Sequence, residues 1–185
     1  MGGRPKALIE VGGTRIIDRV LEAIRPAVDD LLIVTSTPTL YAFLGLPMVP
    51  DVYPDHGSLG GIYSGLKAAA GEAAFTVACD MPFLHSGIAR LVVDRAAEAD
   101  IIIPRVGDQL ETLHAAYSKA CLPHIEERLH EGRFKITGFF DRVRVLEIPE
   151  HLVAKYRAPA VAFMNVNTPE DLSRAERIAE ELARS

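Results

Sequence analysis

Tryptophan is absent from the 185 residues, aromatic side chains make up only 6%, and there are just two cysteines, Cys79 and Cys121. So few rings leave no stacking platform of the kind used to bind single-stranded nucleic acid. Two cysteines without a Cys-x-x-Cys pair exclude a disulfide framework and a cysteine-built zinc site, and both read as buried thiols. No His-x-x-x-His pair occurs, and His124 and His130 fall in a charged helical stretch that reads as solvent-facing, so zinc chemistry finds no ligand set. There is no Gly-x-Ser-x-Gly elbow and no base beside Cys79 in sequence, which disfavours covalent hydrolysis. Basic residues number 20 against 25 acidic ones, for a net charge of -5, the wrong balance for a protein that coats nucleic acid. A small anionic ligand, which needs only local donors, remains open. No apolar run approaches the roughly 18 residues of a membrane span, and Met1-Gly2-Gly3-Arg4-Pro5-Lys6 lacks the apolar core of a signal peptide. The expected location is the cytoplasm.

What is present is the composition of one globular domain, with 49% hydrophobic and 24% charged residues. Residues 31–35, 74–78 and 101–103 are short apolar runs bounded by charge or turn residues, as expected for strands buried on both faces. Residues 46–50 form a weaker strand candidate. Between them, helical periodicity covers 14–25, 59–70 and 88–97. Alternating strands and helices imply a three-layer α/β/α, Rossmann-like fold with a mostly parallel sheet, whose ligands sit at the carboxyl ends of the strands. Beyond Pro104 the expected order is strand 111–117, helix 119–130, helix 134–140 and strand 143–148. Thr168 is placed to cap a closing helix, with Pro169 first and Asp171 at the capping-box position, and Leu172, Ala175, Ile178, Ala179 and Leu182 share one face. No repeat or linker divides residues 1–185.

Several residues carry candidate chemistry. Gly57-Ser58-Leu59-Gly60-Gly61 precedes a helix, where glycines let backbone amides approach an anion and the helix start adds partial positive charge; a tight turn into a packed helix accounts for them equally well. Asp80, in Ala78-Cys79-Asp80-Met81-Pro82, stands where a buried strand ends and suits Mg²⁺, which takes one or two carboxylates plus water and phosphate oxygens; capping the next turn is the alternative. Asp51 is a second carboxylate after a strand and, taken alone, a turn residue. Lys6 either neutralises phosphate charge or is solvated. Asn165 and Asn167 alternate along an extended segment, so both side chains point the same way and can read a ligand edge, although a turn before the capped helix explains Asn167 better than Asn165.

Together, Gly-Gly-Arg-Pro-Lys-Ala-Leu-Ile-Glu-Val-Gly-Gly at the start, Pro50-Asp51, residues 57–66, Ala-Cys-Asp-Met-Pro-Phe-Leu at 78–84, Thr-Leu-His-Ala-Ala-Tyr at 112–117 and Asn-Val-Asn-Thr-Pro-Glu-Asp-Leu at 165–172 resemble the molybdenum cofactor guanylyltransferase (MobA) family nearly end to end. The resemblance implies transfer of GMP from GTP to molybdenum-bound molybdopterin with release of pyrophosphate, by a protein that positions reactants and stabilises charge. By the same resemblance Lys6 meets the GTP phosphates, Asp80 holds Mg²⁺, and Asp51 and Thr35 contact the nucleotide. Gly57, Gly60 and Gly61 bracket the substrate loop, Asn165 and Asn167 lie on the pterin side, and molybdoenzyme maturation proteins are implied partners.

Family members carry an apolar strand and a glycine-rich phosphate loop ahead of the lysine, and here the chain opens near the end of that loop. The expectation is a working polypeptide longer by roughly 12 to 20 residues, since a sheet lacking a central strand leaves its neighbours' backbone groups unpaired. The alternatives are a relative that uses CTP or makes a nucleotide sugar, and a non-catalytic nucleotide- or cofactor-binding protein.

Overall fold

The computed structural model of the chain describes residues 5–184. After a 3-10 turn at Lys6–Leu8, β1 (Glu10–Val11) and β2 (Thr14–Arg15) form an antiparallel hairpin. Its two-residue turn is Gly12-Gly13, both at positive φ (58° and 72°), the conformation that matches strand twist and that glycine adopts at no steric cost. α1 (Ile16–Ile24) follows directly, so the helix starts later than its apolar pattern suggests; the hairpin claims Thr14 and Arg15. β3 (Ile33–Val34) and β4 (Met48–Val49) pair in parallel, and α2 (Gly57–Ala68) leads into β5 (Ala73–Val77). α3 (Ser86–Val93) starts two residues ahead of the expected position because His85 caps it, its Nδ1 accepting from the Gly87 N–H.

The second half comprises β6 (Ile101–Val106), β7 (Gln109–Leu110), β8 (His114–Ser118), α4 (Leu122–His130), a 3-10 helix at Ile136–Arg142, β9 (Val145–Pro149), two single-turn helices α5 (Glu150–Val153) and α6 (Pro159–Ala162), and α7 (Pro169–Ala183). The larger sheet runs β5-β8-β6-β7, with β9 parallel to β6. β8 is antiparallel to both β5 and β6, so the sheet is mixed and not mostly parallel. The cause is local: β6 and β7 form a tight hairpin pairing Val106 with Gln109, which reverses the chain before β8 enters. Among the described residues β3 pairs only with β4 and β5 only with β8, so two sheets rest side by side on α2, and all residues of β3 and β5 are half-buried.

Strand alternation makes the three layers. Ile101, Ile103, Ala115 and Tyr117 face α2 and α4, meeting Leu59, Ile62, Leu66, Ile125 and Leu129. Ile102, Ala116 and Ile148 face the other way, onto Ile88 and Val92 of α3 and Val153 of α5. A third cluster joins α1 to α7 through Ile16, Val20, Ala175 and Ala179, with Phe83 and Val166. α7 begins with the expected capping box: the Thr168 hydroxyl accepts from Asp171 N–H (3.1 Å), and the Asp171 carboxylate accepts from Thr168 N–H (2.8 Å). Leu182, expected on its apolar face, is 42% exposed, because the cluster under α7 ends at Ala179. No helix among the described residues is long and apolar enough to cross a membrane.

Candidate functional site

Two groups of side chains stand where strands end. β5 stops at Val77, and the chain runs through Ala78 and Cys79 to Asp80, where Pro82 bars continuation of the ladder. The Asp80 carbonyl accepts from Val166 N–H at 2.9 Å, which docks the 165–167 segment against the strand end. Lys6 reaches the same place, its Nζ donating to Asn167 Oδ1 at 2.5 Å. Lys6, Asp80 and Asn167, 161 positions apart at the extremes, thus share one spot. Burial raises the pKa of the half-buried Asp80 carboxyl, and the Lys6 ammonium partly offsets this. Asp80's own backbone N–H also favours the charged form, and among the described residues no side chain hydrogen-bonds or ion-pairs with that carboxylate. Asn167 N–H donates to Asp171, so this residue belongs both to the site and to the cap of α7. Asn165 is half-buried, and its amide nitrogen makes one long contact to the Phe163 carbonyl (3.5 Å).

The second group lies at the end of the β3–β4 pair. Thr35 N–H donates to the Val49 carbonyl, and Thr35 Oγ1 accepts from Thr37 N–H at 3.1 Å. Asp51 Oδ1 accepts from Tyr53 N–H (3.0 Å) and lies 2.9 Å from the Ser64 hydroxyl, which in turn accepts from Val52 N–H. Asp51 is therefore a turn residue, as the sequence alone suggests, whose second oxygen stays without a hydrogen bond among the described residues. Nothing in the sequence marks Ser64 as its partner. No bond or ion pair joins the Thr35–Asp51 group to the Lys6–Asp80–Asn167 group.

Gly57, at a positive φ of 62°, makes the turn into α2, and Gly60 and Gly61 lie in its first turns, as the turn-into-a-helix reading has it. Gly60 is there for packing, since a Cβ would come 2.7 Å from the Tyr53 carbonyl and 3.2 Å from Asp51 Oδ1; a Cβ on Gly61 would meet nothing within 4 Å. Gly2, Gly3 and Arg4 of the opening motif lie outside the described residues. Of the two thiols read as buried, Cys121 is, whereas Cys79 is exposed because it leaves the ladder one residue before Asp80. The Cys79 thiol is held above its usual pKa by partial desolvation and by the neighbouring Asp80 charge. His130 is exposed as expected, whereas His124 is half-buried with an unpartnered Nδ1. No three His, Cys, Asp or Glu side chains among the described residues gather in a metal-binding cluster.

A mixed α/β sandwich with a lysine, an under-compensated carboxylate and amide side chains at its strand ends is the frame of a nucleotide-handling protein. The chain belongs to the MobA-like NTP transferase domain family, whose model matches residues 1–145. It is 36% identical to a molybdenum cofactor guanylyltransferase of Desulfosudis oleivorans over 95% of this chain and 87% of that protein. It is 38% identical to a probable molybdenum cofactor guanylyltransferase of Pelotomaculum thermopropionicum over 96% and 87%. The crystal structure of molybdopterin-guanine dinucleotide biosynthesis protein A from Archaeoglobus fulgidus superimposes with a TM-score of 0.84 at 26% identity, covering 97% of this chain and 92% of that one.

Proposed function

We infer that this protein transfers GMP from GTP to molybdenum-bound molybdopterin, forming the guanine dinucleotide cofactor and pyrophosphate. The observation that carries the reading is the Lys6–Asp80–Asn167 convergence in a chain whose relatives bear that name. In the reaction a terminal phosphate oxygen of the acceptor bonds to the α-phosphorus of GTP while the α–β anhydride bond breaks and its electron pair leaves with pyrophosphate. The protein's share is to hold the two reactants in line and to offset charge.

Lys6 places a cation where triphosphate oxygens gather, and it must leave Asn167 to do so. Asp80 fits a hard divalent cation: it is a half-buried oxygen donor whose charged form burial disfavours, and a cation beside it offsets that cost. Mg²⁺ held there supplies neutralisation of the developing phosphate charge. Asp51, through the carboxylate oxygen that Tyr53 and Ser64 leave free, and Thr35 contact the nucleotide, while Asn165 and Asn167 offer amides to the acceptor. Gly57, Gly60 and Gly61 carry the start of α2 alongside. The exposed, unpaired Cys79 thiol suits a reducing compartment, so we place the reaction in the cytoplasm.

Asp80→Asn keeps the shape and removes the charge. It should abolish Mg²⁺-dependent pyrophosphate release with GTP and acceptor while the thermal midpoint stays within a few degrees. Turnover retained at saturating Mg²⁺ would take Asp80 out of the site.

A further inference from the structure

Next to Asp51 lies a polar and aromatic cluster to which neither the family match nor the chemistry above gives a role. Glu126 and His130 stand four residues apart on α4, and Tyr63 and Lys67 four apart on α2, so each pair occupies one helix face. The Tyr63 hydroxyl donates to Glu126 Oε1, and Lys67 Nζ donates to the Tyr63 oxygen at 3.1 Å. Between the helices hangs Tyr53, from the loop that follows β4. Its hydroxyl is 3.0 Å from His130 Nε2 and 3.4 Å from Glu126 Oε1, and its ring meets those of Tyr63 (5.2 Å) and His130 (5.9 Å) edge to face. His56, three residues on, packs edge to face on Tyr53 and on Phe134, so the loop is pinned a second time. Hydrogen bonding from Tyr63 keeps the Glu126 carboxyl below its usual pKa, and it therefore acts as a charged acceptor shared by two tyrosines.

The same Tyr53 reaches the candidate site through its backbone: its N–H holds Asp51 Oδ1, and its carbonyl packs where a Cβ of Gly60 would sit. The geometry points to a clasp in which Glu126 and His130 on α4 fix Tyr53, and Tyr53 in turn fixes Asp51 and the start of α2 for the nucleotide. The three are positioning residues, and the assignment rests on the reading that Asp51 serves the nucleotide. The clasp lies at the protein surface, where His130 and Lys67 are exposed, so it can be cut without opening the core.

GTP with Mg²⁺, titrated calorimetrically into the full chain, tests this alongside thermal melts. Asp51→Asn weakens GTP binding. Tyr53→Phe and Glu126→Ala each weaken it about three- to tenfold, the worth of one hydrogen bond, with little change in melting. Glu126→Gln, which keeps an acceptor oxygen, recovers most of the loss. Tyr53→Phe added to Asp51→Asn costs less than it does alone, because the carboxylate it positions is gone. Full affinity in Tyr53→Phe and Glu126→Ala, equal loss in Glu126→Gln and Glu126→Ala, or the same Tyr53→Phe loss with and without Asp51 overturns the clasp while the proposed function stands. Unchanged affinity in Asp51→Asn removes Asp51 from the nucleotide site, and GTP ignored by the unaltered chain removes the functional reading; either result takes the clasp with it.

Discussion

His114 enters β8 opposite Val77, fully buried between the rings of Phe75 (4.9 Å) and Phe163 (5.1 Å), and neither of its ring nitrogens has a hydrogen-bond partner. Burial alone pulls its pKa from 6.5 down to about 3, so the imidazole is neutral in the folded protein throughout the physiological range. The unfolded chain binds a proton below about pH 6.5 and the folded one does not until about pH 3, so this group's contribution is fully present above the unfolded value and is lost as pH falls through that window. The slope approaches 1.4 kcal/mol per pH unit at most, about tenfold in the folding constant. Urea unfolding between pH 4.5 and 7.5 should show His114→Leu with a shallower acid limb than the unaltered chain; parallel limbs would mean that other groups govern acid stability. Nothing in the sequence separates His114 from an exposed histidine, since its burial depends on Phe163 arriving from 49 positions away.

At the scale of elements, the signals that survived folding were local ones. The apolar run at 74–78 is β5 shifted by one residue, and Thr168, Pro169 and Asp171 cap α7 as their spacing indicates, because strand burial and capping act within a few residues. Only the second strand of the β1–β2 hairpin, Thr14–Arg15, was hidden inside a helical pattern, and the stretch 134–140 coiled into a 3-10 helix displaced by two residues. Of the glycine run, Gly57 is the turn at positive φ, and Gly60 and Gly61 lie in the start of α2, where Gly60 clears the Tyr53 carbonyl. Gly60→Ala and Gly61→Ala should therefore move stability in opposite directions. The first drives a methyl into backbone and costs about 1 to 3 kcal/mol, while the second gains about 0.5 to 1 kcal/mol of helix preference in open space. Urea midpoints decide it, and two shifts of the same sign would show that the 51–53 loop yields freely to the added methyl.

Across the whole molecule, alternation of strands and helices was enough to give three layers, and the fold brings Lys6, Asp80 and Asn167, which the sequence offers as candidates, to the end of β5. The direction of β8 was not legible, since antiparallel entry follows from the two-residue β6–β7 turn and not from the apolar pattern of β8. Ser64 as partner of Asp51, and α4 as the support of Tyr53, were also beyond reach, because both are long-range pairings with no periodic signature. The nucleotide and acceptor are read from kinship with named guanylyltransferases. The direct test is therefore pyrophosphate release by the full chain with Mg²⁺, comparing GTP with CTP, and each with and without molybdenum-bound molybdopterin. Release that needs both GTP and the acceptor, with guanine dinucleotide cofactor as product, is the expected result; release from CTP in preference to GTP, or none with any nucleotide while GTP still binds, would contradict guanylyl transfer.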